Sequence, residues 1–132
     1  MTDVQAELAV RFMKAFWRGD IDGTMALCTP DARFIFARSL PYPRECPMRV
    51  AHESIVNGLF ALFDPPGVFA VHIRHVLSCD DQVTVEYSAN GKLASGRDYE
   101  NDYVMALTIR DGKVAEQRAY TDTQHLSQLF GP

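Results

Sequence analysis

The feature that most constrains this chain is the segment from Arg97 to Asp122, which has the pattern of two long antiparallel strands. The strands meet at Asp111-Gly112, a dipeptide that readily adopts the positive φ angles of a tight hairpin turn. Alternate residues of a strand share one face, and here they are Tyr99, Asn101, Tyr103, Met105, Leu107 and Ile109. That face is apolar at one end and polar at the other. Because buried polar groups need partners, we expect a pocket beside the polar end.

The length and the charge of the chain limit the classes of protein to which it can belong. With 132 residues it can bury its own core, and we predict a single domain over residues 1–132. The net charge of −4 and the scattered basic residues argue against binding to nucleic acid. The sequence has neither a signal-peptide pattern nor an apolar run near the ~20 residues that span a bilayer. We therefore expect a cytoplasmic protein without membrane association, whose three cysteines stay reduced.

Apolar residues recur at spacings of three and four in the N-terminal half of the chain. This periodicity predicts an amphipathic helix over 4–18, a short second helix capped by Asp20, and a third helix over 51–63. A short strand over 32–37 leads into a proline-rich segment, 39–47, which we expect to be a loop. Helices therefore precede most of the sheet.

The C-terminal half has the pattern of consecutive antiparallel strands. Strands over 68–78 and 82–89 form a four-stranded meander with the hairpin, and a last helix covers 124–130. This order predicts an α+β fold, a cystatin-like α+β roll, in which a strongly bent antiparallel sheet wraps around the N-terminal helices as a cone. The mouth of such a cone accepts a small ligand. The outer face of the sheet is left exposed, which favours a homodimer.

Aromatic residues are numerous for one small domain, with eight Phe, five Tyr and one Trp. Such a composition favours a cavity for a flat, apolar, oxygenated small molecule. An aromatic stripe at helical spacing is most often part of a plain hydrophobic core, and the sequence leaves both interpretations open. The aromatic residues that we expect to line the cavity are Phe12, Phe16, Trp17, Phe34, Phe36 and Phe60.

His75 is the candidate proton carrier of the predicted pocket. Strict alternation puts it in phase with Val71 and Ile73, on the pocket face of its strand. A histidine there can accept or donate a proton near neutral pH. Alternatively, it forms a hydrogen bond with a tyrosine or a backbone carbonyl and has no catalytic role. We expect His52 and His125 on the surface, and the four histidines are too dispersed to share a metal ion.

Three neighbours on the hairpin are candidate hydrogen-bond donors to a substrate oxygen. Tyr99, Asn101 and Tyr103 can donate to a carbonyl or enolate oxygen in the manner of an oxyanion hole. Tyr87 has the same phase on its own strand and is the expected fourth donor. Alternatively, these side chains form hydrogen bonds with one another and with a nearby arginine, and none of them contacts a substrate. We interpret Asp122 as a helix N-cap rather than a catalytic base.

A set of motifs runs through the chain in a defined order. It consists of Gly19-Asp20-Ile21-Asp22-Gly23 between two helices, Tyr99-x-Asn101-x-Tyr103, Asp111-Gly112-Lys113 and Arg118-x-Tyr120-x-Asp122. This order resembles the nuclear transport factor two-like superfamily, and the closing segment resembles its SnoaL-like branch, which includes polyketide cyclases and relatives of ketosteroid isomerases. The resemblance covers essentially the whole chain. It implies a fold more than a reaction, because the superfamily mixes isomerases, cyclases, dehydratases, hydrolases and binding proteins.

The resemblance also implies catalytic positions, and this chain departs from the family at most of them. The positions that resemble the ketosteroid isomerase base and tyrosine hold Phe36 and Phe12, which cannot transfer a proton. The positions that resemble the water-activating residues of limonene-epoxide hydrolases hold Ala119, Tyr87 and Ala89. Relatives often have an acidic residue where this chain has Ala119, which we expect to line the cavity.

Two hypotheses of function follow from these residues. The first is a cofactor-independent isomerase, cyclase or lyase acting on a hydrophobic carbonyl compound of polyketide or steroid type. In it His75 moves the proton and Tyr99, Asn101 and Tyr103 hold the oxygen, so that no metal or cofactor is needed. The alternative is a non-catalytic protein that binds an apolar small molecule in the same cone.

Overall fold

The structure is a computed structural model that describes residues 3–130. Within this range the helices are α1 (Val4–Trp17), α2 (Ile21–Ala26), α3 (Met48–Asn57) and α4 (Thr123–Phe130), with a short 3-10 helix at Phe60–Leu62. The strands are β1 (Cys28–Ile35), β2 (Glu45–Pro47), β3 (Phe69–Cys79), β4 (Gln82–Lys92), β5 (Asp98–Arg110) and β6 (Lys113–Thr121). None of the helices in the described range is long and apolar enough to cross a membrane.

The six strands form one open sheet in the order β2-β1-β6-β5-β4-β3. Strands β3 to β6 are the antiparallel meander expected from the sequence. Strand β1 adds to it by running parallel to β6, with Phe34 opposite Gln117, so the sheet is mixed. Strand β2 was not predicted, because the prolines around it indicated a loop, and it pairs with the outer edge of β1. The α+β cone fold is confirmed.

The hairpin that organises the chain has the predicted turn. Asp111 and Gly112 have φ angles of 54° and 73°, and Arg110 pairs with Lys113 on either side of them. Burial alternates along nearly the whole of β5, and the inward residues are those that the sequence predicted. The apolar inner face of this hairpin packs against α1, whose inward residues form the centre of the core.

Strand β3 contains a β-bulge that the sequence did not reveal. Ile73 pairs with Tyr87 and His75 pairs with Glu86, so Arg74 is an extra residue without a partner on β4. Beyond such a bulge, the alternation of faces shifts by one residue. The prediction that His75 shares the pocket face is therefore wrong, and its side chain is 70% exposed.

Helix α3 is shorter than predicted, because its regular turns end at Asn57 and a 3-10 turn follows at Phe60–Leu62. The helix also buries a histidine that was expected on the surface. His52 has no exposed area, its Nε2 lies 2.8 Å from the carbonyl oxygen of Phe16, and its ring stacks on the Phe16 ring at 4.2 Å. His52 thus ties α3 to the C-terminal end of α1.

Candidate functional site

A cavity of about 610 Å³ lies between the inner face of the sheet and the segments that cover it. Its walls come from the ends of α1 and α3, from β1 and the adjoining Phe36, from β4, β5 and β6, from residues 39–42 and 58–59, from the 3-10 helix and from α4. Exposed lining residues occur in residues 39–42, at the end of α3, in the 3-10 helix and in α4, so these four segments surround the mouth. Leu62 and Phe130, for example, are 46% and 41% exposed. A cavity of this size matches a drug-sized organic molecule.

One wall of the cavity is a continuous series of aromatic rings. Phe16 and Phe34 lie nearly parallel at 6.0 Å, Phe34 and Phe36 are 4.4 Å apart, and Tyr42 stacks on Phe36 at 4.5 Å. The series therefore runs from the core at α1 to the loop at the surface. Phe16, Phe34 and Phe36 were predicted from the sequence to line the cavity, whereas Tyr42 was missed because it lies in the proline-rich loop.

A second part of the lining is formed by Trp17 and two tyrosines from the sheet. The indole Nε1 of Trp17 donates a 3.0 Å hydrogen bond to the hydroxyl of Tyr87. The rings of Tyr87 and Tyr103 are stacked at 5.2 Å, and the indole meets both of them edge-on. All three residues line the cavity, and their predicted roles in binding or catalysis stay predictions. Interlocked rings of this kind give the cavity a rigid wall.

The phenol of Tyr103 is hydrogen-bonded to that of Tyr99, which lies behind it and does not line the cavity. Burial raises the pKa of both phenols, and for Tyr103 the proximity of Tyr99 raises the pKa further. Burial also raises the pKa of Tyr87. Because the charged forms are disfavoured, these tyrosines offer neutral hydroxyl groups at neutral pH.

Asn101 is buried, as its phase predicted, but its amide is engaged away from the cavity. Its Nδ2 donates to Thr121 Oγ1 at 2.9 Å and to the carbonyl oxygen of Asp122 at 3.3 Å. Its Oδ1 accepts from the backbone N–H of Asp102 at 3.0 Å. Asn101 does not line the cavity, and it holds the junction between β6 and α4 in place. The structure does not bring it to the oxygen-binding position that the sequence suggested.

His75 lies outside the site altogether. Its nearest charged partner is Glu86, 3.9 Å away on the outer face of the sheet. Phe12 and Phe60 also do not line the cavity. Phe12 is fully buried against Phe16, and Phe60 packs behind Trp17, so both belong to the hydrophobic core. The alternative interpretation of the aromatic residues is therefore correct for these two.

Ala119 lines the cavity, and its neighbours on β6 add polar groups that were not predicted from the sequence. Gln117 and Thr121 are in phase with Ala119, so strand alternation was the signal that could have identified them. Gln117 is only 1% exposed. Its Nε2 donates to Met105 Sδ at 3.0 Å, while its Oε1 has no hydrogen-bond partner among the described residues.

The chemistry of the lining is apolar with neutral polar groups. Within residues 3–130, the lining includes no Asp, Glu, His, Lys, Arg or Cys side chain. Its polar side chains are hydroxyls and amides, namely Ser39, Tyr42, Asn57, Tyr87, Tyr103, Gln117, Thr121, Thr123 and Ser127. These groups can donate or accept hydrogen bonds, but none is a base at neutral pH.

Comparison with solved structures places this geometry in a known class, the NTF2-like cone fold. An NTF2-like protein from Burkholderia pseudomallei K96243 aligns with a TM-score of 0.83 at 14% identity, covering 99% of this chain and 100% of the other. TerC, co-crystallised with polyporic acid, aligns with a TM-score of 0.81 at 18% identity, covering 96% and 98%. A SnoaL-like polyketide cyclase from Jannaschia sp. CCS1 aligns with a TM-score of 0.79 at 22% identity, covering 98% and 93%.

The sequence itself narrows the class to one family. Residues 9–117 match the SnoaL-like domain, so the chain belongs to the SnoaL-like domain family. A search of curated proteins finds no match for this chain.

Proposed function

We propose that this protein binds a flat, apolar small molecule in its cone without the help of a charged residue. The observation that carries the proposal is a cavity of about 610 Å³ that is walled by stacked aromatic rings and has no charged side chain in its described lining. Aromatic walls favour planar ligands, and the low polarity favours ligands without net charge. The co-crystallisation of TerC with polyporic acid supports the proposal, because TerC has the same fold.

The absence of a base from the described lining distinguishes binding from the catalytic hypothesis. Enolisation and ring closure need a group that accepts a proton, and His75 was the candidate for that role. With His75 on the outer face, the polar groups that residues 3–130 place in the lining are neutral phenols, hydroxyls, amides and one indole. The binding interpretation is therefore the stronger of the two hypotheses.

The test uses Trp17, the single tryptophan of the chain, which lines the cavity and reports its occupancy. Pyrene, a planar apolar probe, should quench Trp17 fluorescence by energy transfer in a saturable titration. Ala119→Trp should weaken pyrene binding at least about tenfold, because the larger ring fills the cavity. Each Trp variant contains two indoles, so quenching no longer reports on Trp17 alone. Pyrene binding to these variants is therefore measured from pyrene emission.

Ala70→Trp is the matched control, because Ala70 is exposed on β3 and does not line the cavity. It should bind pyrene like the wild type. Circular dichroism and thermal unfolding show whether both variants are folded. Equal pyrene affinity in the wild type and in a folded Ala119→Trp variant would contradict the proposal.

A second candidate function, a cofactor-independent isomerase, cyclase or lyase acting on a hydrophobic carbonyl compound, is favoured by the Tyr99–Tyr103 pair. The Tyr103 phenol lines the cavity and is backed by a second phenol, an arrangement suited to holding a developing oxyanion. If the protein is an enzyme, we expect Tyr103→Phe to bind the substrate but to lose turnover. If it is a binding protein, we expect a bound carbonyl compound to be recovered chemically unchanged. Mass spectrometry of the recovered compound distinguishes the two outcomes.

A further inference from the structure

Three buried side-chain atoms in the described part of the chain have no hydrogen-bond partner: Thr29 Oγ1, His52 Nδ1 and Gln117 Oε1. Of these three residues, only Gln117 lines the cavity. Buried polar atoms are nearly always paired, because leaving one unpaired forfeits its hydration without replacement. An unpaired acceptor beside a ligand-sized cavity therefore indicates a hydrogen bond that a ligand completes.

Gln117 is held so that its carbonyl oxygen, rather than its amide nitrogen, is available. The Nε2 group donates to the sulfur of Met105 at 3.0 Å. Turning the amide over would set Oε1 against that sulfur, which has no hydrogen to donate, and would lose the contact. Packing restricts the side chain further, because on the inner face Gln117 lies between Phe34 of β1 and Leu107 of β5.

The surroundings of Gln117 define what the rest of the ligand must be. Phe34 pairs with Gln117 across the sheet, and the Phe36 ring contacts the Phe34 ring at 4.4 Å on the same wall. Ala119, two residues further along β6, contributes only a methyl group and leaves space beside the amide. A ligand that reaches Gln117 thus has a flat apolar body with one polar group at its buried end.

We propose that Gln117 Oε1 accepts a hydrogen bond from a hydroxyl group, phenolic or enolic, at the buried end of a flat polycyclic ligand. This inference rests on the proposed binding function and adds the ligand class and the residue that selects it. An ether or ketone oxygen at the same position would face Oε1 lone pair to lone pair. The site therefore discriminates in favour of a hydroxylated ring over its methylated counterpart.

The experiment compares pyrene, 1-hydroxypyrene and 1-methoxypyrene, which share one ring system and differ at one substituent. Affinities are measured from Trp17 quenching in the wild type, Gln117→Leu, Gln117→Met and Gln124→Leu. The wild type should bind 1-hydroxypyrene about tenfold more tightly than 1-methoxypyrene. Both Gln117 variants should reduce this preference to about twofold or less and bind pyrene at least as tightly as the wild type. Gln124, which is exposed on α4 and does not line the cavity, is the control and should retain the preference.

The possible failures are distinguishable. Equal affinity of the wild type for all three probes would overturn this inference and leave the binding function in place. A preference that persists in both Gln117 variants would overturn Gln117 as the acceptor. If the wild type binds none of the probes, the proposed function fails and the inference fails with it. The ranking of probes by the wild type is a test by itself, should either Gln117 variant not fold.

Discussion

At the scale of single residues, the protein buries several polar groups whose position could not be anticipated from residue type. Gln117 and His52 are both essentially inaccessible to solvent, and each leaves one atom unpaired within the described structure. They differ in what they face. Gln117 lines the cavity, whereas His52 does not line it and stacks on Phe16.

The buried imidazole of His52 makes the stability of the fold depend on pH. Burial lowers its pKa below the ordinary value of about 6.5, although its hydrogen bond to the Phe16 carbonyl opposes the shift. Above about pH 6.5 the imidazole is neutral in both the folded and the unfolded chain, so it adds no pH dependence. Below that pH the unfolded chain takes up the proton first. The free energy of unfolding should then fall by at most about 1.4 kcal/mol per pH unit, until the lowered pKa of the folded state is reached.

Urea unfolding of wild type and His52→Gln between pH 7.5 and pH 5 measures this contribution. Glutamine retains a donor for the Phe16 carbonyl but does not titrate, so the loss of stability toward acid should be smaller in the variant. His72→Gln is the matched control, because His72 is exposed on β3. Identical pH profiles for wild type and His52→Gln would show that the buried imidazole does not carry the effect.

At the scale of elements, α4 is the part of the cavity wall with the least support. None of its residues is fully buried, yet Thr123, Leu126, Ser127 and Phe130 line the cavity. Its first turn is capped by Asp122, whose Oδ1 accepts from the backbone N–H of His125 at 2.9 Å. This agrees with the interpretation of Asp122 as an N-cap. The ring of His125 adds a hydrogen bond from Nε2 to the carbonyl oxygen of Glu100, at 2.6 Å.

Removing the cap of α4 should loosen the cover of the cavity more than the fold. Asp122→Ala loses about 1 kcal/mol of helix stabilisation, as is typical for an N-cap. Because α4 contributes little to the core, the thermal midpoint should change only slightly. Pyrene affinity should fall several-fold, and hydrogen exchange of the α4 amides should accelerate.

Asp122→Asn separates the cap from the charge, because the amide oxygen still accepts the same hydrogen bond. It should bind pyrene nearly as well as the wild type. Equal pyrene affinity of Asp122→Ala and the wild type would contradict the prediction that the cap of α4 supports binding.

At the scale of the whole molecule, the outer face of the sheet is the surface that the fold leaves uncovered. Leu77 and Tyr120 are 66% and 48% exposed there, on strands at opposite sides of the meander. Between them the face is polar, with Arg118 forming hydrogen bonds to Glu116, Gln82 and Thr108. Apolar groups at both sides of a polar network are suited to a symmetric contact between two sheets.

We therefore expect a homodimer that associates through this face. The wild type should sediment at about twice the monomer mass of 14.8 kDa. The double variant Leu77→Lys, Tyr120→Lys should sediment as a monomer, because a charged group in such an interface is costly. Val50→Lys is the control, since Val50 is half exposed on α3, away from the sheet. A wild type that is monomeric at tens of micromolar would exclude the dimer.

Much of the fold could be predicted because its signals are local. The Asp111-Gly112 turn, the alternation along β5 and the periodicity of α1 each depend on residues close together in sequence. The site was predicted less well, because the face on which a strand residue lies depends on unbroken alternation along the whole strand. The inward positions of Tyr103, Tyr87 and Trp17 could be anticipated, since regular elements carry them, and their roles in a site stay a prediction. The position of His75 could not be anticipated, because one extra residue, Arg74, separates it from the regular part of its strand.

The sequence alone determined that helices precede a bent antiparallel meander, because hydrophobic periodicity and turn chemistry act over a few residues. Only the tertiary structure decided which polar groups face the cavity. The bulge in β3 turned His75 outward, Asn101 was drawn to Thr121 and Asp122, and the pairing of β1 with β6 brought Gln117 beside Phe34. Each of these outcomes depends on partners that are distant in the chain, and a polar group faces whichever partner or space the completed packing leaves for it.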